Sequence, residues 1–380
     1  MHRFSKSVSV SRFIPKQHSL RRLIHGRPRS RCYPKSDEED DGDKARKTEE
    51  NRDGYFQLYK SKGQHLLTNQ RILDSIVRKS GIKPTDTVLE IGPGTGNLTL
   101  KLLEVAKSVV SFEIDKRMVE VLQKRVSERG FQDRLTVVCN DALKVEFPEF
   151  DLVVANIPYG ISSPLVAKLV YGARPFRSAT LLLQKEFARR LLAKPGDSEF
   201  NRLAVNVSLV ADVEFVMDVS KREFVPCPKV DSSVVIIRPK AKVPNVNLDE
   251  WCAFTKACFG KKNKTLGATF KQKKKVLELL GFSKLTYSNG ESENKICSNY
   301  DDDEGESDEE VECSSACLEM GAISFKEKLM GVLRSANFEN KRPSKLTNDE
   351  LLHLLTLFNQ TGIYFHDRSK SRNVVIEPFD

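Results

Sequence analysis

The sequence, 380 residues long, predicts an α/β fold: a doubly wound parallel sheet with an antiparallel edge, followed by a small C-terminal helical domain. Three observations carry that prediction. From Tyr55 to about Arg238, short β-branched apolar runs alternate with amphipathic stretches. Two late runs in that region follow one another with no helical stretch between them. From Asp249 onward the apolar residues recur at helical spacing. Strands that alternate with helices imply a parallel sheet covered on both faces, because each crossover lays a helix on the sheet.

The expected strands are Thr87–Ile91, Ser108–Phe112, Leu135–Cys139, Leu152–Ala155 and Ala179–Leu183, then the late pair near Val213–Val219 and Ser233–Arg238. Leu98–Val105 and Arg117–Glu128 show helical spacing of Leu, Val and Met. These elements make a first domain over residues 55–240, and Ala241–Leu248 reads as a linker. The second domain, residues 249–380, has expected helices at Trp251–Phe259, Thr265–Leu280, Phe325–Ala336 and Asn348–Gln360. A polar, acidic stretch, Ser283–Met320, interrupts it as an insertion.

Ahead of both domains, residues 1–36 hold ten Lys and Arg and no Asp or Glu. They lack a continuous apolar core, which fits an organellar transit peptide rather than a secretory signal. Arg21, Arg22, Arg27, Arg29 and Arg31 favour a mitochondrion over a chloroplast; a basic RNA-binding arm or a nuclear or nucleolar address is the competing reading. Residues 37–54 form a charged, apolar-poor linker that is expected to be disordered.

The formal net charge is +10, yet Asp301–Glu312 holds nine acids and no Lys or Arg. A basic body between acidic tracts points to a polyanionic partner, although solvated surface charge would look the same. The basic set Lys261, Lys262, Lys264, Lys271, Lys273, Lys274 and Lys275 is the candidate for phosphate contact, with Lys261, Lys262 and Lys264 foremost. The eight Cys form no C-x-x-C pair and have no His at ligand spacing, so free thiols in a reducing compartment and no metal site are expected. No apolar run reaches eighteen residues, so no membrane span is expected.

The motifs narrow the chemistry. Thr87-Val88-Leu89-Glu90-Ile91-Gly92-Pro93-Gly94-Thr95-Gly96-Asn97 is a strand that ends in a glycine turn and opens a helix. Glycines allow the backbone to turn tightly and to approach a ligand without a Cβ in the way. The spacing is G-x-G-x-G, whereas dinucleotide sites use G-x-G-x-x-G and would want glycine at Asn97. Glu90 suits a cofactor whose amino-acid end is a cationic ammonium. Glu113, at the end of the second strand beside Ile114 and Asp115, can accept both ribose hydroxyls. Asp141, after the third strand and next to Ala142, can accept the cofactor's adenine amine. A glycine turn alone is weak; three strand ends in this order point to S-adenosylmethionine rather than NAD.

After the fourth strand comes Asn156-Ile157-Pro158-Tyr159. Adenine's exocyclic nitrogen is a poor nucleophile because its lone pair is delocalised into the ring. The Asn156 carboxamide oxygen and the Pro158 carbonyl can accept its two N–H bonds, which draws the nitrogen towards tetrahedral geometry. No strong base is needed, since the proton becomes acidic only as the new bond forms. Tyr159 offers a face for a base that has left its helix. A plain post-strand turn would also use these residues.

With these motifs in place, the chain resembles the ribosomal RNA adenine dimethyltransferases, and is nearer to their eukaryotic and archaeal branch than to the bacterial one. The resemblance runs from about Tyr55 to the C-terminus, apart from Ser283–Met320. It rests on Lys62-Gly63-Gln64-His65-Leu66-Leu67, Glu90–Gly96, Glu113-Ile114-Asp115, Asp141-Ala142-Leu143, Asn156–Tyr159, Phe224–Ser232 and Cys258–Leu266. It implies a seven-stranded, Rossmann-like class I methyltransferase sheet whose small helical domain helps grip ribosomal RNA. The implied reaction is two methylations on each of two adjacent adenines near the 3′ end of small-subunit rRNA, during ribosome biogenesis. The implied partner is that rRNA or the pre-ribosomal small subunit, met by a monomeric, organellar enzyme.

By the same resemblance, Gln64, His65 and Leu67 cover the cofactor, with Glu90, Gly92, Gly94, Gly96, Glu113, Ile114, Asp141, Ala142 and Asn156 as further contacts. Phe224 would stack on the target base opposite Tyr159, and ordinary core packing is its bland alternative. Leu66 departs from the family, which usually has Phe there. Two other readings compete: a non-catalytic RNA-binding assembly or transcription factor that retains the fold, and a DNA adenine methyltransferase. The intact Glu90–Gly96 and Asn156–Tyr159 argue against the first, and Phe259–Leu266 against the second.

Overall fold

Runs such as Thr87–Ile91 and Leu152–Asn156 carry apolar side chains on both faces, so they are stable only between two layers of other structure. In the computed structural model, which describes residues 64–285 and 315–366, they lie at the centre of a seven-stranded sheet. In chain order the elements are β1 (Leu66–Leu67), α1 (Gln70–Lys79), β2 (Thr87–Ile91), α2 (Asn97–Val105), β3 (Ser108–Phe112), α3 (Lys116–Ser127) and β4 (Leu135–Val138). They continue as β5 (Leu152–Asn156), α4 (Ser162–Tyr171), β6 (Ala179–Gln184), α5 (Lys185–Leu192), α6 (Arg202–Val210), β7 (Ala211–Val219), β8 (Phe224–Val225) and β9 (Ser232–Pro239).

The sheet order is β4-β3-β2-β5-β6-β9-β7. All neighbours run parallel except β9, which is antiparallel to both β6 and β7. The late pair therefore does form an antiparallel edge, with β9 inserted between β6 and the outermost β7. The strand order reverses between β2 and β5, and crevices at the carboxyl ends of strands on either side of such a reversal are where α/β sheets bind ligands. The glycine turn follows β2, and Asn156 is the last residue of β5.

Alternation along each strand divides the core. Val88, Val109, Leu152 and Val154 face one layer, with Leu73 and Ile76 of α1 and Leu102 and Leu103 of α2. Leu89, Ile91, Val153 and Ala155 face the other layer, with α4 and α6. The two-stranded ribbon β1–β8, which pattern reading does not find, pairs Leu66 with Val225 and Leu67 with Phe224. Two residues per strand are too few to leave a period in the sequence.

The second core layer runs on without a break into the C-terminal helices α7 (Leu248–Phe259), α8 (Leu266–Phe270), α9 (Lys273–Leu285), α10 (Ser315–Ser335) and α11 (Asn348–Gln360). Its centre is aromatic: Phe254 and Phe365 rings lie 5.0 Å apart, and Phe270 and Phe358 5.7 Å. Asn247 caps α7 by accepting the Asp249 and Glu250 N–H groups, and Thr347 and Glu350 form a reciprocal capping box at α11.

Two expectations change here. Thr265–Leu280 is not one helix but breaks at Lys271-Gln272 into α8 and α9. At 100° per residue, a straight helix would set Phe270 and Leu279 on opposite faces, yet both are buried. The break turns both inward. Helix also covers both ends of the stretch assigned to the insertion, since α9 reaches Leu285 and α10 begins at Ser315. The expected transit peptide and charged linker, and the acidic run Asp301–Glu312, fall outside the described residues. Among the described residues no helix is long and apolar enough to cross a membrane, and no group of His, Cys, Asp and Glu could hold a metal ion.

Candidate active site

The turn after β2 is held in a shape that only glycine tolerates. Gly94 and Gly96 have φ of 56° and 87°, in the left-handed region. A Cβ on Gly94 would lie 2.7 Å from Leu66 Cδ2, and one on Gly96 2.5 Å from Leu122 Cδ1. Arg125 of α3 braces the turn from behind, donating to the Thr95 carbonyl and to Asn97 Oδ1. Gly96→Ala combines a strained φ with a clash against the buried Leu122. We expect it to destabilise the protein by roughly 1–3 kcal/mol and to abolish cofactor binding. Thermal unfolding and S-adenosylhomocysteine titration measure both effects; a variant with wild-type values in each would contradict this account of the turn.

The turn opens a cavity of about 530 Å³ at the carboxyl ends of β2 to β5, with residues Gln64–Leu67 laid across it as a strap. All the residues expected from sequence to meet the cofactor line this cavity except Gly96, which lies behind it as the N-cap of α2. The strap is fastened at several points. Gln64 Nε2 donates to Asp115 Oδ2 (2.8 Å), Asn97 Nδ2 to the Leu67 carbonyl (2.9 Å), and Asn156 Nδ2 to the His65 carbonyl (3.3 Å). Leu66 reaches down onto Gly94, so it fills at least part of the space that the family's larger Phe would occupy.

Glu90 is 1% exposed. One carboxylate oxygen, Oε2, accepts hydrogen bonds from Thr99 (2.6 Å) and Ser111 (3.0 Å). The other, Oε1, is buried and has no hydrogen-bond partner among the described residues. Burial pushes the carboxyl up to about 7, against the two hydroxyl donors, and the nearby Glu113 adds to the rise. Such a group is poised for a cation. Glu113 is also raised by burial, while its two oxygens accept the N–H groups of Gly94 (3.2 Å) and Asp115 (3.0 Å). Asp115 contrasts with both: the Arg117 guanidinium beside it holds its carboxyl well below the usual range. Asp141 accepts the Leu143 N–H at 2.9 Å and sits with Ala142 at the cavity's far end. Ile114 is 70% exposed and forms the rim.

On the opposite side, Asn156 presents its amide nitrogen to the strap, and among the described residues Oδ1 accepts no hydrogen bond. The Pro158 carbonyl accepts the Ile161 N–H at 3.1 Å in the turn that follows, so one of its two lone pairs remains. The Tyr159 hydroxyl lies 2.8 Å from Ser232 Oγ, and burial raises its pKa and keeps it neutral. Phe224 lines the same cavity and is 3% exposed. The ring that lies parallel to Tyr159, however, is His65, with centroids 6.1 Å apart and planes 26° apart. His65 is oriented by a 2.8 Å hydrogen bond between its Nδ1 and the Pro226 carbonyl.

Sequence reading missed the Gln64–Asp115–Arg117 fastening, the Asn97 tie and the Ser232 support for Tyr159. Apart from Asp115–Arg117, each pairs residues distant in sequence, and the only available signal was that all but Arg117 sit inside the motifs. The three foremost lysines differ from one another. Lys261 and Lys264 are exposed, whereas Lys262 is half-buried and donates to the carbonyls of Ser198 (2.8 Å) and Phe200 (3.2 Å). Of the wider set, Lys271 pairs with Glu339 and Lys275 with Glu278.

This arrangement can bind a cationic, adenosine-bearing cofactor and face it with two amine acceptors beside aromatic rings. Comparison with known proteins points the same way. The ribosomal RNA adenine dimethylase model matches residues 55–295. The mitochondrial ribosomal RNA small subunit methyltransferase of Arabidopsis thaliana is 67% identical over 83% of this chain and 82% of its own length. A probable dimethyladenosine transferase of Dictyostelium discoideum is 45% identical over 82% of this chain and 91% of its own. Among solved structures, a dimethyladenosine transferase from Plasmodium falciparum superposes with a TM-score of 0.66 at 39% identity, covering 79% of this chain and 100% of that one. The 23S rRNA methyltransferase ErmE gives 0.51 at 25% identity, over 77% of this chain and 99% of that one.

Proposed function

The chain belongs to the ribosomal RNA adenine dimethylase family, and we propose that this rRNA adenine dimethyltransferase modifies the N6 amines of two adjacent adenines near the 3′ end of small-subunit rRNA. The observation that carries the reading is the meeting of Glu90 and Asn156–Tyr159 in one cavity. The unpartnered, buried Glu90 Oε1 fits the ammonium of S-adenosylmethionine. Glu113 would hold the ribose hydroxyls, Asp141 the adenine amine, and the strap Gln64–Leu67 would cover the ligand. When bound, S-adenosylmethionine supplies an electrophilic methyl group.

The rest of the chemistry belongs to this chain's residues. Asn156 Oδ1 and the free lone pair of the Pro158 carbonyl accept the two N6–H bonds of adenine, which frees the nitrogen's lone pair from the ring. Transfer of the methyl from the sulfonium to N6 would leave the cofactor as a neutral thioether and make one N6–H acidic, so that its proton would pass to solvent without a strong base. Tyr159 stacks on the extruded adenine, with Phe224 and His65 as the neighbouring rings. Exclusion of water by the strap strengthens each of these hydrogen bonds.

A mitochondrial site of action is supported by the name of the Arabidopsis relative and by the acid-free residues 1–36. Mass spectrometry of the 3′ end of mitochondrial small-subunit rRNA, with and without the gene, tests substrate, chemistry and compartment together. Loss of dimethyladenine is the expected result. Persistence of the mark there would overturn the assignment of compartment and target.

A further inference from the structure

Behind Tyr159, on the target-base side of the cavity, Ser232 and its neighbour Asp231 tie down the backbone of two lysine-bearing segments. Ser232 Oγ supports Tyr159. Beside it, the Asp231 carbonyl accepts the Lys185 N–H (3.0 Å), and Asp231 Oδ1 accepts the Lys221 N–H (2.9 Å). The Lys221 ammonium then donates to the Lys229 carbonyl at 3.3 Å. Residues 221–229 are thereby closed into a loop, and within it Phe224 lines the cavity. The loop is tethered on both sides of the place where a stacked base would sit.

Arg222 and Lys229 are exposed on this loop, and among the described residues neither forms an ion pair or a side-chain hydrogen bond. The carboxylates next to them in the chain are engaged elsewhere: Glu223 accepts Asn69 Nδ2 at 2.7 Å, and Asp231 accepts the Lys221 N–H. Lys185, by contrast, is committed to Asp218 at 2.6 Å. A cation already in a salt bridge must give up that partner to bind a phosphate; Arg222 and Lys229 need not. Val225 and Val230, 44% and 46% exposed, interleave apolar surface with the two charges. That mixture suits a single strand, which offers phosphates and unstacked bases together.

We propose that Arg222 and Lys229 bind the phosphates that flank the target adenine, which makes residues 221–229 the guide for the RNA strand at the cavity mouth. The proposal deepens, and rests on, the rRNA methyltransferase reading. It places strand contact on the same short loop as Phe224, so the nucleotide's backbone and its base are held by one rigid unit. Positioning of that kind lowers the entropy cost of aligning the amine.

The test is the full-length double variant Arg222→Ala/Lys229→Ala, titrated with an RNA fragment of the small-subunit rRNA 3′ end between 50 and 200 mM salt, a range of about fourfold over which phosphate contacts are read. Each lost contact lowers the slope of log affinity against log salt by about 0.7–0.9. The expected result is a slope reduced by roughly 1.4–1.8 for two contacts, with S-adenosylhomocysteine affinity and melting temperature unchanged. The charge-conserving variant Arg222→Lys/Lys229→Arg should keep the wild-type slope. A double alanine variant that folds and keeps that slope overturns the proposal. So does an equal loss of S-adenosylhomocysteine affinity, which would assign the two residues to the loop's own folding. If the wild-type chain neither binds nor labels this RNA, the rRNA reading itself fails, a result distinct from either of these.

Discussion

Asn156→Ala should reduce methyl transfer by a factor on the order of 10²–10³ in kcat, the scale on which loss of one preorganised hydrogen-bonding group is felt in a dry active site. The reason lies in how the carboxamide is held. Its nitrogen is tied to the His65 carbonyl at 3.3 Å, which directs Oδ1 away from the strap and leaves it for the substrate amine. Alanine removes that acceptor, and the adenine nitrogen keeps its lone pair in the ring. The Pro158 carbonyl alone cannot compensate, because the Ile161 N–H already occupies one side of it. RNA affinity should be nearly unchanged, since the phosphate-binding cations lie elsewhere. Single-turnover labelling at saturating RNA, beside an RNA titration, separates the two quantities. Labelling at the wild-type rate would remove Asn156 from the mechanism and favour a non-catalytic role for the fold.

A second large effect concerns Glu90. Its carboxyl, raised to about 7 by burial, must be ionised to face an ammonium, so cofactor binding to the wild-type protein should release a proton. Affinity for S-adenosylhomocysteine should therefore fall with decreasing pH below 7, approaching tenfold per pH unit. Glu90→Gln keeps the shape and loses the charge, so its affinity should be lower and should lose this part of the pH dependence. Stability of the ligand-free protein should move oppositely. A folded carboxyl that titrates near 7, against an ordinary value of 4.5, retains a proton that the unfolded chain has already released. Stability is thus lost as pH rises between those values, by about 3 kcal/mol for a shift of this size. Glu113 contributes with the same sign in both proteins, so the difference between wild type and Glu90→Gln isolates Glu90. Calorimetric titration and thermal unfolding from pH 5 to 8 test both effects. A wild-type affinity that is flat across that range would refute the assignment of Glu90 to the ammonium.

Much of this protein was legible in one dimension, for identifiable reasons. The central strands are apolar on both faces, and that pattern survives any rearrangement of their surroundings. The strand ends announce themselves because each needs a residue of fixed chemistry: glycine where the backbone turns with φ near 56° or 87°, a carboxylate at Glu113, an amide at Asn156. Such requirements are local, and local requirements are written in consecutive residues.

Contacts across the fold were not legible. Lys262 looks like its neighbours Lys261 and Lys264, yet it donates to carbonyls 62 and 64 residues upstream. His65 and Tyr159 stack with planes 26° apart, His65 anchored on the Pro226 carbonyl and Tyr159 on Ser232 Oγ. The break between α8 and α9 follows from where the aromatic core lies, not from any helix breaker in Lys271-Gln272.

By itself, then, the sequence determined a doubly wound sheet and the glycine turn that opens the cavity, because periodicity and backbone conformation are properties of neighbouring residues. Which cations stay free for a phosphate, which ring faces Tyr159 and which carboxylate is left without a partner were decided by the tertiary structure alone. Those properties depend on distance through space, and burial and hydrogen bonding assign them only once the chain has closed on itself.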